Sequence, residues 1–438
     1  VVRYALISQE KSMDVITTAV TAGAGEGGIS AAYQMLKSRL AAQSPSVADA
    51  IADVEEDPGS RSRQFALSDA LASAGLAGDR YLRAAARNLI DEVERRRSAR
   101  TPAKASLDGA PDHAVMKVFF ATDRELSGDR HPARLFGSAR GQLRYGSCEV
   151  SIPRDHRMGE MESPSLLRLE FRQDPEQHVV LLSADVGERD SYFSDLRQTI
   201  AASGTHSALL FIHGYRTTFE DAARRTGQLA YDLGFQGAPI FYSWPSQGKL
   251  SGYILDEANV EWSQADLATF LADVLQQSDA EHVYLIAHSM GSRALAQATA
   301  SVVAARPELA KRLREVILAA PDIDADVFRQ QLLPALSAVP NPLTLYASSD
   351  DSALRASKAV HGYARAGESG AGLVVAKGVE TIDASNMDTG FIGHTYFAEQ
   401  RSALSDMYYL IQKHTRAAER FGLQAVDSAM GRHWTFRV

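Results

Sequence analysis

The chain has 438 residues, 45% of them hydrophobic, with 46 Lys plus Arg against 54 Asp plus Glu and a formal net charge of -8. That length accommodates two or three domains with a sizeable core, and that charge argues against a general nucleic-acid binder while leaving room for a local basic stripe. The single cysteine, Cys148, excludes an internal disulfide and a cysteine metal site; it fits a reducing, cytoplasmic setting as a small core residue. No apolar run approaches the roughly 18 residues of a spanning helix, so no transmembrane segment is expected. Lys11 followed by Val15 to Gly25 has the outline of a signal peptide, but Asp14 intrudes and the run lacks leucine. An opening at Val1 rather than at methionine is compatible with an upstream segment.

Residues 1 to about 97 are rich in Ala, Ser, Arg and Glu and carry helical periodicity. Ile29, Tyr33, Leu36 and Leu40 share one helix face, and Val47, Ile51 and Val54 share a face of the next. Asp57-Pro58 offers a cap and first-turn proline for a helix through Phe65, Leu67 and Leu71 that Gly75 ends, and Asp79 opens a fourth helix running to about Arg96. Four such helices can close a bundle. Gly23 to Gly28, GAGEGG, satisfies G-x-G-x-x-G, but without a preceding strand or a Gly-Lys-Ser/Thr ending it reads as a flexible connection, not a nucleotide site. On AYQMLK, EEDPGSRSRQFALSDAL and AGLAGDRYLRAAARNLI, residues Ala32 to Ile90 resemble a helical module that recurs beside bacterial defence and signalling effectors. The resemblance implies a protein partner or a regulatory role; a stabilising appendage is the alternative. Arg95 to Asp112 is polar and aperiodic, which places a linker at 98–112 between a helical domain, 1–97, and a second domain, 113–438.

From Met116 the pattern turns to strands. KVFFAT, LRYGSCEVSI and HVVLLSADV are short apolar runs bounded by turn residues. Helical stretches then follow at Asp190 to Ser203, Phe219 to Leu233, Glu261 to Gln277 and Ser292 to Ala300. They alternate with strands at Ala208 to His213, Pro239 to Tyr242, Val283 to Ile286, Val316 to Ala319 and Leu343 to Ala347. Alternation of this kind predicts an α/β fold with a mostly parallel sheet covered on both faces.

In such a sheet the chemistry gathers just after the strands. Ser289 stands between strand and helix, with Ala287 two residues before and Gly291 two after, the small-x-Ser-x-small pattern of a nucleophile elbow. His213-Gly214-Tyr215-Arg216 follows an earlier strand where an oxyanion-hole loop belongs, so the Tyr215 and Met290 N–H groups are the candidate donors. A serine hydroxyl needs an imidazole to take its proton, and the imidazole needs a carboxylate. Of the histidines after position 351, His361 and His414 fall in helical runs and His433 lies beside Trp434, whereas His394 sits in a glycine-flanked loop and is the candidate base. For the acid, Asp351 is preferred because Ser-Ala-Leu after it starts a helix; Asp350, Asp322 and Asp324 remain alternatives, the last two also suited to helix capping in PDIDADVF. His213, Gly214, His288 and Trp244 are candidates for the substrate pocket.

On FIHGYRTTFEDA, FYSWPSQGKLSGYILDEANVEWS, LIAHSMGSRAL, ILAAPDIDADVF, YASSDDSAL and GFIGH, residues Lys117 to Ile411 resemble the bacterial α/β-hydrolase family long labelled a domain of unknown function and described as esterase/lipase-like. The resemblance implies the α/β-hydrolase fold and a triad filled by Ser289, Asp351 and His394. It also places Trp244-Pro245-Ser246 and Tyr253 to Asp256 near the pocket mouth.

The expectation is therefore a small N-terminal all-α domain tethered to a serine hydrolase acting on a small-molecule or lipid-like ester, without metal or organic cofactor. A peptidase, thioesterase or acyltransferase would use the same residues, and a non-catalytic signalling scaffold is the competitor from another class. Gln247 to Val260 is the candidate lid, although its polarity does not suit a lipid-facing one.

Overall fold

A computed structural model describes residues 15–25, 31–58, 61–76, 79, 81–83, 85–86, 89, 113–163, 173–349, 357, 362–385 and 401–437. The chain divides into two compact units, Val1–Ala110 with Ser163–Asp174, and Pro111–Glu162 with Pro175–Val438.

The first unit is helical. Helices Ala31–Ala41 and Pro45–Glu56 carry the expected faces, with Tyr33, Leu36, Leu40, Val47, Ile51 and Val54 all buried. An additional helix, Val15–Gly25, buries Ile16, Ala19, Val20 and Ala24 in the same core. Those residues are spaced i, i+3, i+4, i+8, and Thr17, Thr18 and Thr21 between them are buried as well. Gly23 and Gly25 of the GAGEGG segment therefore belong to a helix. Asp57 is the C-cap of Pro45–Glu56 and not an N-cap; the first-turn proline is Pro45, behind Ser44. Helix Arg61–Ser73 closes at Gly75, whose φ of 71° allows Leu76 N–H to reach Leu71 O at 2.9 Å. Asp79 accepts from the N–H groups of Tyr81 (2.8 Å) and Leu82 (2.9 Å), the N-cap predicted for the next helix.

The second unit is built on an eleven-stranded sheet. Its strands are β1 (His113–Leu126), β2 (Phe136–Pro153), β3 (Val180–Gly187), β4 (Ser207–Ile212), β5 (Ala238–Ser243), β6 (His282–His288), β7 (Leu313–Ala319), β8 (Leu343–Ala347), β9 (Val379–Asp383), β10 (Leu423–Ser428) and β11 (Gly431–Phe436), in the order β10-β11-β9-β8-β7-β6-β4-β5-β1-β2-β3. From β9 to β1 every neighbouring pair is parallel; β1, β2 and β3 form an antiparallel meander at one edge, and β10 and β11 an antiparallel hairpin at the other. Alternate residues of one strand feed opposite cores: Leu210 and Ile212 pack with helices Arg189–Ala202, Gln264–Gln277 and Met290–Ala305, whereas Leu209 and Phe211 pack with Phe219–Asp232 and Arg401–Gln412. Burial on both faces is the reason these strands read as unbroken apolar runs. Cys148 is 2% exposed within one core, and burial pushes its thiol up. After β4 the chain runs to β5 on one side and then to β6 on the other, so the topological switch lies at the carboxyl ends of β4 and β6. This is the α/β-hydrolase architecture. Among the described residues no helix is long and apolar enough to cross a membrane.

Candidate active site

Ser289 alone makes the turn between β6 and helix Met290–Ala305, with φ 49° and ψ −122°. That geometry is strained for any residue with a side chain and persists only where the surroundings impose it. Here the main chain imposes it: Ser289 N–H donates to Ala319 O (2.9 Å), and Ser289 O accepts from Ser292 N–H (3.0 Å) and Asp322 N–H (3.1 Å). Both sides of the turn are thereby tied, one of them to the end of β7. A Cβ at Gly291 would stand 2.2 Å from His213 O, and one at Gly214 would stand 2.8 Å from His288 Nδ1 and 3.1 Å from Ser289 Cβ. Two glycines thus let the loop after β4 lie against the elbow. Among the described non-glycine residues with positive φ, Arg216, Ser289 and Ala320 follow β4, β6 and β7 at this end of the sheet.

The loop carrying Tyr215 is fixed from below. His213 and Trp244 are wholly buried and stack at 4.9 Å and 17°, with Trp244 Nε1 donating to His213 O (2.8 Å). Burial, reinforced by the charge of Arg124, holds the His213 imidazole well below its ordinary range, so it is neutral at pH 7. Wholly buried and stacked, the two side chains set the path of the loop. Tyr215 is half-buried, and Met290, whose N–H opens the helix without a helical carbonyl partner, is wholly buried. His288 is partly exposed beside Ser289.

Two buried charged residues, Arg124 and Asp256, organise the same loop. Arg124, at the end of β1, donates to Ser243 Oγ (2.8 Å), Ser246 O (3.0 Å), Gly137 O (3.1 Å) and Thr217 O (2.7 Å). Burial lowers its guanidinium to about 10. Asp256, also wholly buried, accepts from Ser246 Oγ (2.6 Å), Gln247 N–H (2.7 Å) and Arg216 N–H (3.1 Å). It lies on helix Tyr253–Trp262, within the stretch considered as a lid, which the structure turns into a helix with its polar face inward. From that face Glu257 pairs with Arg293 (2.7 Å) and Asn259 donates to Pro245 O (2.7 Å). The one signal for Arg124 in the sequence is a charged residue at the end of the apolar run VFFATDR.

Asp350, Asp351 and His394 lie outside the described residues. Asp322 is described: it is 2% exposed and its carboxylate accepts from Tyr253 Oη (2.6 Å), Ser357 Oγ (2.6 Å) and Arg365 Nε (2.7 Å). Among the described residues its ionic partner is Arg365. Asp324 caps the turn Ala325–Val327, as its alternative role predicted. His414 stands past the end of helix Arg401–Gln412 at φ 54°, not within a helix, and His433 lies on β11. Among the described residues no group of three or more His, Cys, Asp or Glu side chains is placed to hold a metal ion.

A strained serine between strand and helix, at the switch point of a largely parallel sheet, defines the class as an α/β hydrolase. The chain belongs to the family described as alpha/beta hydrolase of unknown function (DUF900), whose model matches residues 188–413, and residues 13–119 match the Het-E N-terminal domain. No curated protein matches the chain. Among solved structures it is similar to a predicted CIB-like hydrolase from Thermoplasma acidophilum (10% identity, 69% of this chain, 99% of that one, TM-score 0.30). Others are LpqC, a poly(3-hydroxybutyrate) depolymerase from Bordetella parapertussis (13%, 71%, 92%, 0.31), and Aspergillus fumigatus lipase B (11%, 91%, 85%, 0.31).

Proposed function

We propose that the chain hydrolyses carboxylic esters with Ser289 as nucleophile. The observation that carries this reading is the elbow itself: a positive-φ serine held by three main-chain hydrogen bonds at the carboxyl end of β6. Strain of that kind lifts a side chain out of the sheet and is retained where a function needs it. In the reaction, Ser289 Oγ attacks the acyl carbonyl while His394 takes its proton; Asp351 orients His394. The N–H groups of Tyr215 and Met290 receive the negative oxygen of the tetrahedral intermediate. His394 then protonates the leaving alcohol, and water releases the acyl group by the same steps in reverse order. The substrate is a small-molecule or lipid-like ester, and the N-terminal helical unit serves to regulate or target the hydrolase.

A panel of acyl donors tests the proposal. Ester turnover by the full chain that falls by about 10⁴-fold or more in Ser289→Ala, His394→Ala and Asp351→Asn supports it. Turnover only of thioesters or peptides reassigns the substrate, and no turnover by folded protein favours a signalling scaffold.

A further inference from the structure

Asp322 meets the elbow through its main chain and helix Tyr253–Trp262 through its side chain. Its N–H donates to Ser289 O (3.1 Å), while its Oδ2 accepts from Tyr253 Oη at 2.6 Å. A carboxylate paired with a buried guanidinium, here Arg365 at 2.7 Å, is a strong acceptor for a phenol, which suits so short a bond. The contact continues outward, because the Tyr253 ring packs edge to face on Tyr215, centroids 5.5 Å apart at 68°. We infer that Asp322 and Tyr253 are positioning residues that set the Tyr215 main chain relative to Ser289, an assignment resting on the proposed roles of Ser289 and of the Tyr215 N–H.

The loop is also pinned along its main chain: Gly214 O lies 2.8 Å from His213 Nδ1, Tyr215 O accepts from Thr217 Oγ1 (3.2 Å), and Arg216 N–H donates to Asp256. Tyr253 adds a contact from outside the loop, on the ring of Tyr215. An oxyanion donor acts only when it stands about 3 Å from the place the negative oxygen will occupy. A small shift of Tyr215 would therefore be felt in turnover far more than in stability or substrate affinity.

Tyr253→Phe isolates the effect, since it keeps the ring and removes the hydroxyl. In the full chain labelled with 15N-tyrosine and 15N-methionine, the variant is expected to shift the Tyr215 amide resonance and leave that of Met290 in place. Its kcat for an ester, and its rate of labelling at Ser289 by a fluorophosphonate, are expected to fall about ten- to a hundredfold at unchanged KM. A Tyr215 amide that does not move, or an unchanged kcat in an active enzyme, overturns the assignment. If the wild-type chain takes up no fluorophosphonate but the Tyr215 amide still moves, the hydrolase reading fails while the positioning of Tyr215 by Tyr253 stands.

Discussion

Helix Met290–Ala305 starts at Ser289 and helix Tyr253–Trp262 is linked to it through Asp322, yet they are held by different forces. Met290–Ala305 buries Met290, Ala294, Leu295, Ala298, Val302 and Val303, and its start is fixed by main-chain bonds and by the absence of a Cβ at Gly291. Tyr253–Trp262 buries Asp256 and Asn259 beside Val260, while Ile254 and Leu255 are 73% and 51% exposed. Its inward face is polar because its task is to hydrogen-bond four segments: the loops after β4, β5 and β7, and Arg293 on the other helix. The first helix is placed by backbone geometry and apolar packing, the second by side-chain hydrogen bonds made across the site. The proposed reaction needs both, since it requires a rigid Ser289 and a loop after β4 held at a fixed distance from it.

The comparison can be broken most severely at the elbow. Gly291→Ala drives a methyl group onto His213 O and Ile212 O, so unfolding by urea is expected to show a loss of about 4 kcal/mol or more together with complete loss of activity. In the network that ties Tyr253 to the loop after β7, Arg365→Met leaves the Asp322 carboxylate buried without its cation. A loss of about 3 kcal/mol is expected, and a chain as stable as wild type would show that the Asp322 network is idle. Asp256→Ala orphans the Ser246 hydroxyl and the Gln247 and Arg216 N–H groups, for an expected loss of about 2–3 kcal/mol.

A tie away from both helices supplies a pH control. His156, its side chain 2% exposed, lies 2.8 Å from both Glu162 and Asp232; burial alone would lower its imidazole, but the two carboxylates outweigh it and raise the group to about 9. A raised folded-state value means that this stabilisation is complete below the unfolded value near 6.5 and is lost as pH climbs through 9. Thermal melts should show about 3 kcal/mol disappearing across that window, with the slope absent in His156→Gln. The smallest effect expected is that of Trp244→Phe, which removes one hydrogen bond to His213 O and lowers stability by about 1 kcal/mol, as measured in denaturant.

The same contrast explains what could be read in advance. The elbow was legible because its requirements are local: an apolar run, a serine, small residues at 287 and 291, and a helix. The parallel sheet was legible because strands buried on both faces become continuous apolar runs. Helix Tyr253–Trp262 was obscured by its inverted polarity, since Asp256, Glu257 and Asn259 look like a solvent face until their partners are known. Arg124 is hidden in the sequence for the same reason: it donates to Ser243, Ser246, Gly137 and Thr217, residues that sequence spacing does not bring together. Strands β9, β10 and β11, at one end of the sheet, are short and mixed in polarity, so periodicity gives no signal for them. Helix Val15–Gly25 was hidden by glycine and threonine, which weaken a helical signal without preventing burial.

The most direct measurement of the central claim is intact-mass analysis after exposure to a fluorophosphonate, with peptide mapping of any adduct, on the full chain and on Ser289→Ala. A single adduct that maps to Ser289 and is lost in the variant is the predicted result. No adduct on folded wild-type protein, or one that persists in Ser289→Ala, would contradict the account.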